Sequence, residues 1–244
     1  MILAIDAGNS RVKWGLHDGR GWLSQGWADN GEMRVLGKAW RGMATPGRVV
    51  ISNVAGAGMR EALGALLSHW IVTPFWVTAE ASACGVSNGY DNPAQLGSDR
   101  WAALVAAWGM RRAGCLVVNA GTALTADVLS DEGVFLGGVI VPGLVLMQQS
   151  LGAGTALGAQ PCGRFTPLPG NTADAVYSGA LQALAGAVES MWRELARVRP
   201  RDPHCVLSGG TAQQLAPLLA MPVTAVENLV LEGLVRIARE AEPL

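Results

Sequence analysis

Charged side chains are scarce in this sequence. Asp, Glu, Lys and Arg together supply 15% of the 244 residues, and the formal net charge is −1. A chain with so little excess charge has no general electrostatic attraction for nucleic acid or for an anionic membrane. Neither is therefore an expected partner, and any binding of phosphate groups must depend on a local cluster of residues.

Cysteine and histidine are also few and scattered. The sequence contains Cys84, Cys115, Cys162 and Cys205, and the histidines His17, His69 and His204. They form no CxxC pair and no Cys/His cluster with the spacing of metal ligands, so the sequence indicates neither a zinc site nor a redox pair.

Long apolar runs are missing as well, although half of the residues are hydrophobic. No apolar run approaches bilayer length without a Gly, Pro or polar interruption, and the first residues do not follow the pattern of a signal peptide. We therefore expect a cytoplasmic protein with a substantial core, built as one large domain or as two closely packed ones.

The first sixteen residues, MILAIDAGNSRVKWGL, predict a β-hairpin. An apolar run ends in Asp6, a turn of small residues follows, and the second strand carries Lys13. Such a turn suits nucleotide phosphates, because Gly8 lets backbone N–H groups approach anionic oxygens and Asp6 can hold a hydrated Mg²⁺. Asn9 and Ser10 add donors. On these residues alone, an ordinary hairpin with a polar turn fits equally well.

Residues 115–129, CLVVNAGTALTADVL, repeat this pattern. An alignment without a gap pairs Asn119 with Asp6, Gly121 with Gly8, Thr122 with Asn9 and Leu129 with Leu16. The two turns lie nearly half the chain apart, so the pattern predicts an internal duplication. Two such hairpins can hold one polyphosphate between them.

Several short motifs follow the first hairpin. They are YDNP at 90–93, LGSDR at 96–100, GG at 137–138, PG at 142–143 and NTADA at 171–175. Together with the two hairpin turns, they resemble the type III pantothenate kinases, a family of the acetate and sugar kinase, Hsp70 and actin superfamily. The resemblance covers most of the chain. It implies an α/β fold of duplicated ribonuclease-H-like halves, residues 1–112 and 113–244, with a ligand cleft between them.

The resemblance implies ATP-dependent phosphorylation of pantothenate to 4′-phosphopantothenate, the first step of coenzyme A biosynthesis. Ser98 is a candidate N-cap, which places Asp99 and Arg100 on the first turn of a helix. Asp99 would accept the hydroxyl proton, and Arg100 would hold the substrate carboxylate by a forked pair of hydrogen bonds. Without the other motifs, Asp99 fits a structural role beside the helix dipole at least as well.

The implied ligand-binding residues fall into three groups. Substrate is expected at Tyr90, Gly97, Ser98, Asp99, Arg100 and Thr172, the last reaching across a homodimer interface. ATP and its phosphates are expected at Asp6, Ala7, Gly8, Asn9, Ser10, Arg11, Val12, Lys13, Gly121 and Thr122. Gly209 and Gly210 are expected beside the adenosine, although they fit a plain glycine turn into the next helix as well.

Two cations are implied. Mg²⁺ is expected at Asp6 through water, and in the family pattern the second turn begins with an Asp that helps bind an activating monovalent cation, K⁺ or NH₄⁺. Asn119 replaces that carboxylate with an amide, which keeps an oxygen but carries no formal charge. We therefore expect weakened or absent activation by K⁺.

Two alternatives remain at this point. One is another enzyme of the superfamily, such as a sugar kinase or an exopolyphosphatase, which should lack the Gly-Ser-Asp-Arg helix start. The other is a catalytically weak nucleotide-binding or regulatory protein that keeps the kinase fold. Asn119 favours this second alternative, whereas the presence of Asp6, Lys13, Asp99 and Arg100 opposes it.

Overall fold

The computed structural model describes residues 1–241. The chain divides into two compact units. Unit 1 comprises residues 1–111 together with the segment from Asn228 onward, and unit 2 comprises residues 112–227. The division falls beside the boundary expected at 112/113, but the C-terminal helix joins unit 1 and not unit 2.

The strands are β1 Ile2–Ala7, β2 Arg11–His17, β3 Trp22–Asp29, β4 Arg48–Asn53, β5 Phe75–Trp76, β6 Ser82–Ala83, β7 Val86–Asn88, β8 Cys115–Ala120, β9 Ala123–Leu129, β10 Val134–Pro142, β11 His204–Ser208 and β12 Val223–Ala225. The α-helices are α1 Met33–Arg41, α2 Ala57–Leu67, α3 Ser98–Arg111, α4 Leu144–Gly154, α5 Thr172–Arg197, α6 Ala212–Leu215 and α7 Leu229–Glu240. Within residues 1–241, none of these helices has the length and apolar character needed to cross a membrane.

Unit 1 is built on a sheet with the strand order β3-β2-β1-β4-β5. Strands β1 to β3 form an antiparallel meander, and β4 and β5 add to it in parallel with β1. Strand residues alternate between the two faces. Leu3, Ile5 and Ile51 face a core that includes Trp40 of α1, whereas α3 and α7 pack against the strands and each other on the unit's other side.

Unit 2 repeats this topology. Its strands follow the order β10-β9-β8-β11-β12, with β8 to β10 antiparallel and with β11 and β12 parallel to β8. The core lies under α5, where Leu181 and Leu184 pack with Leu116 and Val118 of the sheet. The duplication predicted from the two hairpins is therefore visible as one strand order used twice.

The two hairpin turns nevertheless differ in length. Asp6 pairs with Lys13, seven positions on, whereas Asn119 pairs with Thr125, six positions on. The ungapped alignment is therefore wrong beyond the turn by one residue. Thr125 takes the place of Lys13, so the second hairpin has no cation at this position.

Residues 82–95 are rich in Gly, Asn, Asp and Ser, yet they contain the short hairpin β6–β7. Its turn is Cys84-Gly85, and both residues have left-handed backbones, with φ of 55° and 77°. This is the conformation that two-residue hairpins prefer, but a cysteine at its first position is not a turn signal. The hairpin could therefore not be predicted from composition.

Candidate active site

Polar side chains gather at the carboxyl ends of β1 and β4 in unit 1. Asp6 pairs with Lys13 on one side and with Ser52 on the other, so these three side chains project from one face of the sheet. The hydroxyl of Ser98, the first residue of α3, lies 2.9 Å from that of Ser52. Asp99 follows on the same helical turn, as predicted. The two carboxylates expected to act in the reaction therefore lie in one cluster.

The Asp6 carboxylate occupies an environment that disfavours its charge. Its Oδ1 atom is buried and has no hydrogen-bond partner within the described part of the chain. Burial, and then the negative charge of Asp99, raises the pKa of Asp6 from 3.8 to about 7, against the opposing charge of Lys13. A cation beside Oδ1 would supply the missing partner.

The chemistry of Asp6 fits a hydrated Mg²⁺. Residues 1–241 contain no group of three or more His, Cys, Asp or Glu side chains that could hold a metal ion by themselves. Mg²⁺ commonly binds through one or two carboxylates and completes its octahedron with water and substrate phosphates. A single orphaned carboxylate oxygen is consistent with that mode and not with a protein-only metal cage.

Asp99 is held at the start of α3 by its own helix. Its Oδ1 accepts a hydrogen bond from the backbone N–H of Arg100 at 2.8 Å. A Cβ atom built on Gly97 would stand 2.6 Å from the same oxygen, so the carboxylate fills the space that a side chain would need. Ser98, expected as the N-cap, is instead the first helical residue, because the carbonyl of Gly97 accepts the first helical hydrogen bond, 2.9 Å from the N–H of Trp101.

Arg100 and Tyr90 form a pair beside this helix start. The Arg100 guanidinium donates a hydrogen bond of 2.9 Å to the Tyr90 hydroxyl and lies 5.7 Å from the centre of the ring. Only 6% of Arg100 is exposed. A carboxylate that bound this guanidinium would be withdrawn from water, where a charge-assisted hydrogen bond is strong.

The first hairpin turn is fixed by internal hydrogen bonds. The N–H of Gly8 donates to the carbonyl of Arg11 at 3.0 Å. The Asn30 amide donates to the carbonyls of Gly8 and Asn9 at 3.0 and 2.9 Å. The N–H of Gly8 is therefore occupied within the turn, while Asn9 and Ser10 lie exposed at the tip. Asn30 could not be predicted as part of this turn, because it follows β3 and reaches the turn only through the sheet.

The remaining first-hairpin residues differ in what they can offer to ATP. Ala7 and Val12 have no exposed surface and pack in the core of unit 1, so neither offers a side chain to ATP. Arg11 forms an ion pair of 2.8 Å with Asp29 and stacks 4.3 Å above the ring of Trp27. Its charge is thus partly balanced before any phosphate binds.

The second hairpin turn, in unit 2, is lined by neutral groups. Asn119 pairs with Thr125 of β9 and with Ser208 of β11. The N–H of Gly121 donates to the carbonyl of Ala123 at 3.1 Å, so this donor is also occupied within the turn. Thr122 lies exposed at the tip.

Two glycines pack against this second turn. A Cβ on Gly209 would stand 2.4 Å from the carbonyl oxygen of Ala120, and the φ of Gly209 is 105°. A Cβ on Gly143 would stand within 2.6 Å of the carbonyl oxygen of Thr122. Gly209 is therefore required by backbone packing, whereas a side chain on Gly210 would meet open space.

Thr172 is the exposed first residue of α5, also in unit 2. Asn171 caps the helix by accepting a hydrogen bond of 2.9 Å from the N–H of Asp174. Asp174 accepts one of 2.7 Å from the N–H of Arg164, which, with the Asn171 amide, holds the pKa of Asp174 below its usual range. The start of α5 is thus well fixed.

Comparison with known proteins identifies the family. A family model described as type III pantothenate kinase matches residues 2–194. The chain belongs to the type III pantothenate kinase family. A protein of that name from Nitrosospira multiformis is 56% identical over 240 residues, which cover 98% of this chain and 92% of the relative. Another, from Aromatoleum aromaticum, is 50% identical over 242 residues and 98% of both chains.

The fold has solved counterparts outside this family. The structure of a protein assigned as a 2-dehydro-3-deoxygalactonokinase from Sinorhizobium meliloti aligns over 100% of both chains with a TM-score of 0.65. At 14% identity, this likeness shows the shared fold alone. The predicted family and the predicted fold class of duplicated halves are thereby confirmed.

Proposed function

We propose that this chain phosphorylates the primary hydroxyl of pantothenate with ATP and yields 4′-phosphopantothenate, the entry reaction of coenzyme A biosynthesis. The observation that carries the proposal is the polar cluster of unit 1, in a chain that matches pantothenate kinases along nearly its whole length. Asp6 supplies an orphaned carboxylate oxygen, and Asp99 stands at a helix start beside it.

Phosphoryl transfer depends mainly on alignment and on stabilisation of charge. Asp6 would hold a hydrated Mg²⁺, which when bound neutralises charge on the phosphates, and Lys13 adds a positive charge one strand away. Asp99 accepts the proton of the pantothenate hydroxyl as general base. The same residue cannot be replaced by its amide without loss of that step.

Binding of the rest of pantothenate is assigned to the surroundings of α3. Arg100, with Tyr90 beside it, takes the substrate carboxylate, and Gly97 leaves room for the Asp99 carboxylate. Thr172 is assigned to the substrate site of the partner subunit. These roles carry over from the family motifs, residue by residue.

The nucleotide is assigned to both hairpin turns. The exposed tips, Asn9-Ser10 in the first and Thr122 in the second, are the parts of each turn best placed to meet phosphate, since both glycine N–H groups are occupied. The Gly209-Gly210 turn is assigned to adenosine, with Gly210 as its open face. A monovalent cation at Asn119 would bind through a neutral oxygen and therefore weakly.

A homodimer accounts for the apolar surface of unit 2. Val145 and Leu146 of α4, a helix that packs against α5, are 62% and 41% exposed. Gly179 and Gly186 lie on the exposed side of α5, where small residues permit close approach of a second helix. Exposed apolar side chains in one region commonly mark an interface.

The homodimer is tested by sedimentation of Val145→Glu. The charged variant should dissociate, whereas Val35→Glu, at a similarly exposed position on α1 of unit 1, should not. A parent protein that sediments as a fully active monomer would contradict the dimer. The cytoplasmic location inferred from the sequence stays a prediction.

The proposed reaction is tested by ATP consumption with and without pantothenate. Pantothenate-dependent ADP formation, with 4′-phosphopantothenate as product and loss of turnover in Asp99→Asn, is the expected result. A protein that binds ATP but turns over no faster with pantothenate would instead support the catalytically weak nucleotide-binding alternative.

A further inference from the structure

A buried pair of hydroxyl groups connects the sheet of unit 1 to the helix that carries Asp99. Ser52, on β4, has no exposed surface, and its Oγ lies 2.9 Å from the Oγ of Ser98. Ser98 is itself 8% exposed. Neither hydroxyl can turn to bulk water, so removal of one leaves the other buried without this partner.

Ser52 sits where the two carboxylates of the cluster are positioned. On the sheet side, it is the direct parallel neighbour of Asp6, about 5 Å away across the ladder. On the helix side, it holds Ser98, which immediately precedes Asp99. The Ser52 side chain therefore contacts the helix that carries Asp99 and lies beside the strand that carries Asp6.

The Asp99 carboxylate moves with the start of α3. The contacts that orient it, the Arg100 N–H and the bare Cα of Gly97, belong to the same first turn or the residue before it. These contacts fix the carboxylate relative to the helix but not relative to the sheet. The Ser52–Ser98 hydrogen bond links the start of α3 to the sheet.

We propose that Ser52 is a positioning residue for phosphoryl transfer, which acts through Ser98 to hold the Asp99 carboxylate in register with Asp6. The inference rests on the proposed role of Asp99 as general base. Ser52 touches neither substrate nor nucleotide, because it is fully buried. Its effect is one of alignment, where a displacement of about 1 Å can cost about 100-fold in rate.

The test compares kcat and KM in Ser52→Ala, Ser98→Ala and Ser52→Thr. The two alanine variants remove the same hydrogen bond from opposite ends, so each should lower kcat about 10- to 100-fold, while KM for MgATP stays within about twofold. Ser52→Thr keeps the hydroxyl on a strand position and should recover kcat to within about threefold of the parent. Ser130→Ala is the matched control, because it removes a buried hydroxyl from the β9–β10 turn of unit 2, bonded there to the N–H groups of Glu132 and Val134.

A second measurement separates positioning from general damage to the fold. In an Asp99→Asn background, Ser52→Ala should lower kcat no further, because the carboxylate that it aligns is already absent. A further fall of 10-fold or more in that background would overturn the proposal. So would a kcat of Ser52→Ala within about twofold of the parent, at an unchanged Tm.

Two controls keep the outcomes distinct. If Ser52→Ala does not fold, as judged by circular dichroism, Ser98→Ala carries the same comparison from the helix side. A parent enzyme without pantothenate-dependent turnover refutes the proposed function itself, whereas an active parent with an equally active Ser52→Ala refutes only the role of Ser52.

Discussion

Replacement of Asp6 by Asn should stabilise the ligand-free protein at neutral pH while it abolishes turnover. The folded protein holds the Asp6 proton up to a pKa of about 7, whereas the unfolded chain releases it near 3.8. Between these values the unfolded state binds fewer protons than the folded state, so the free energy of unfolding falls as pH rises, and the full penalty is present above pH 7. Asn has the size of Asp but no charge, which removes the penalty.

The size of the effect follows from the same pKa values. A difference of about three pH units corresponds to about 4 kcal/mol as an upper bound. The Asn side chain also places an amide where a carboxylate oxygen already lacked a partner, so we expect a net gain of about 2 kcal/mol. For a chain of this length, such a gain raises Tm by about 4 to 8 °C.

The assay is thermal unfolding without nucleotide or Mg²⁺ at pH 8 and pH 5. The Tm gain at pH 5 should be less than half of that at pH 8, because most of the charge penalty arises between these values. Asp29→Asn is the matched control: this exposed carboxylate pairs with Arg11 at the surface, and its removal should cost at most about 1 kcal/mol. A Tm that falls at pH 8, or a gain equal at both pH values, would refute the conclusion that the buried charge of Asp6 destabilises the ligand-free protein.

Three further predictions concern the reaction. Asp99→Asn should lower kcat by about 10²- to 10⁴-fold and leave ATP affinity nearly unchanged; turnover within about threefold of the parent would deny Asp99 the role of base. Arg100→Lys should chiefly raise KM for pantothenate, because a lysine cannot reproduce the forked geometry, and an unchanged KM would remove Arg100 from the carboxylate site. Asn119→Asp should introduce or strengthen activation by K⁺ in a KCl against NaCl titration at constant ionic strength, whereas a steep K⁺ requirement already present in the parent and unaltered by the substitution would show that residue 119 does not control the cation.

Local signals in the sequence were sufficient for much of this fold. The turn chemistry around Gly8 and Gly121 located both hairpins. The helical spacing after Ser98 placed Asp99 on a first turn. Each of these features is decided within about ten residues, so the pattern along the chain contains the information.

Features that depend on register between distant segments were not predictable in this way. Ser52 reads as one more small residue in a buried strand until β4 is placed beside β1, and Asn30 reads as a loop residue until β3 brings it to the first turn. The one-residue difference between the hairpin turns is likewise invisible to an ungapped alignment. The contacts of Ser52 and Asn30 join residues more than 20 positions apart, and the pattern along the chain does not show which distant segments become neighbours.

The two hairpin turns also differ in the charged side chains beside them. Asp6 is flanked in its sheet by Lys13 and Ser52, whereas Asn119, at the equivalent strand end, is flanked by Thr125 and Ser208. An aspartate at position 119 would thus lack the lysine that partly offsets the charge of Asp6, and the amide avoids that penalty. The second turn can therefore offer a phosphate only neutral donors from these positions. With ATP at the two turns as proposed, formal positive charge beside the phosphates would come from Lys13, from the partly balanced Arg11 and from a cation at Asp6, all in unit 1.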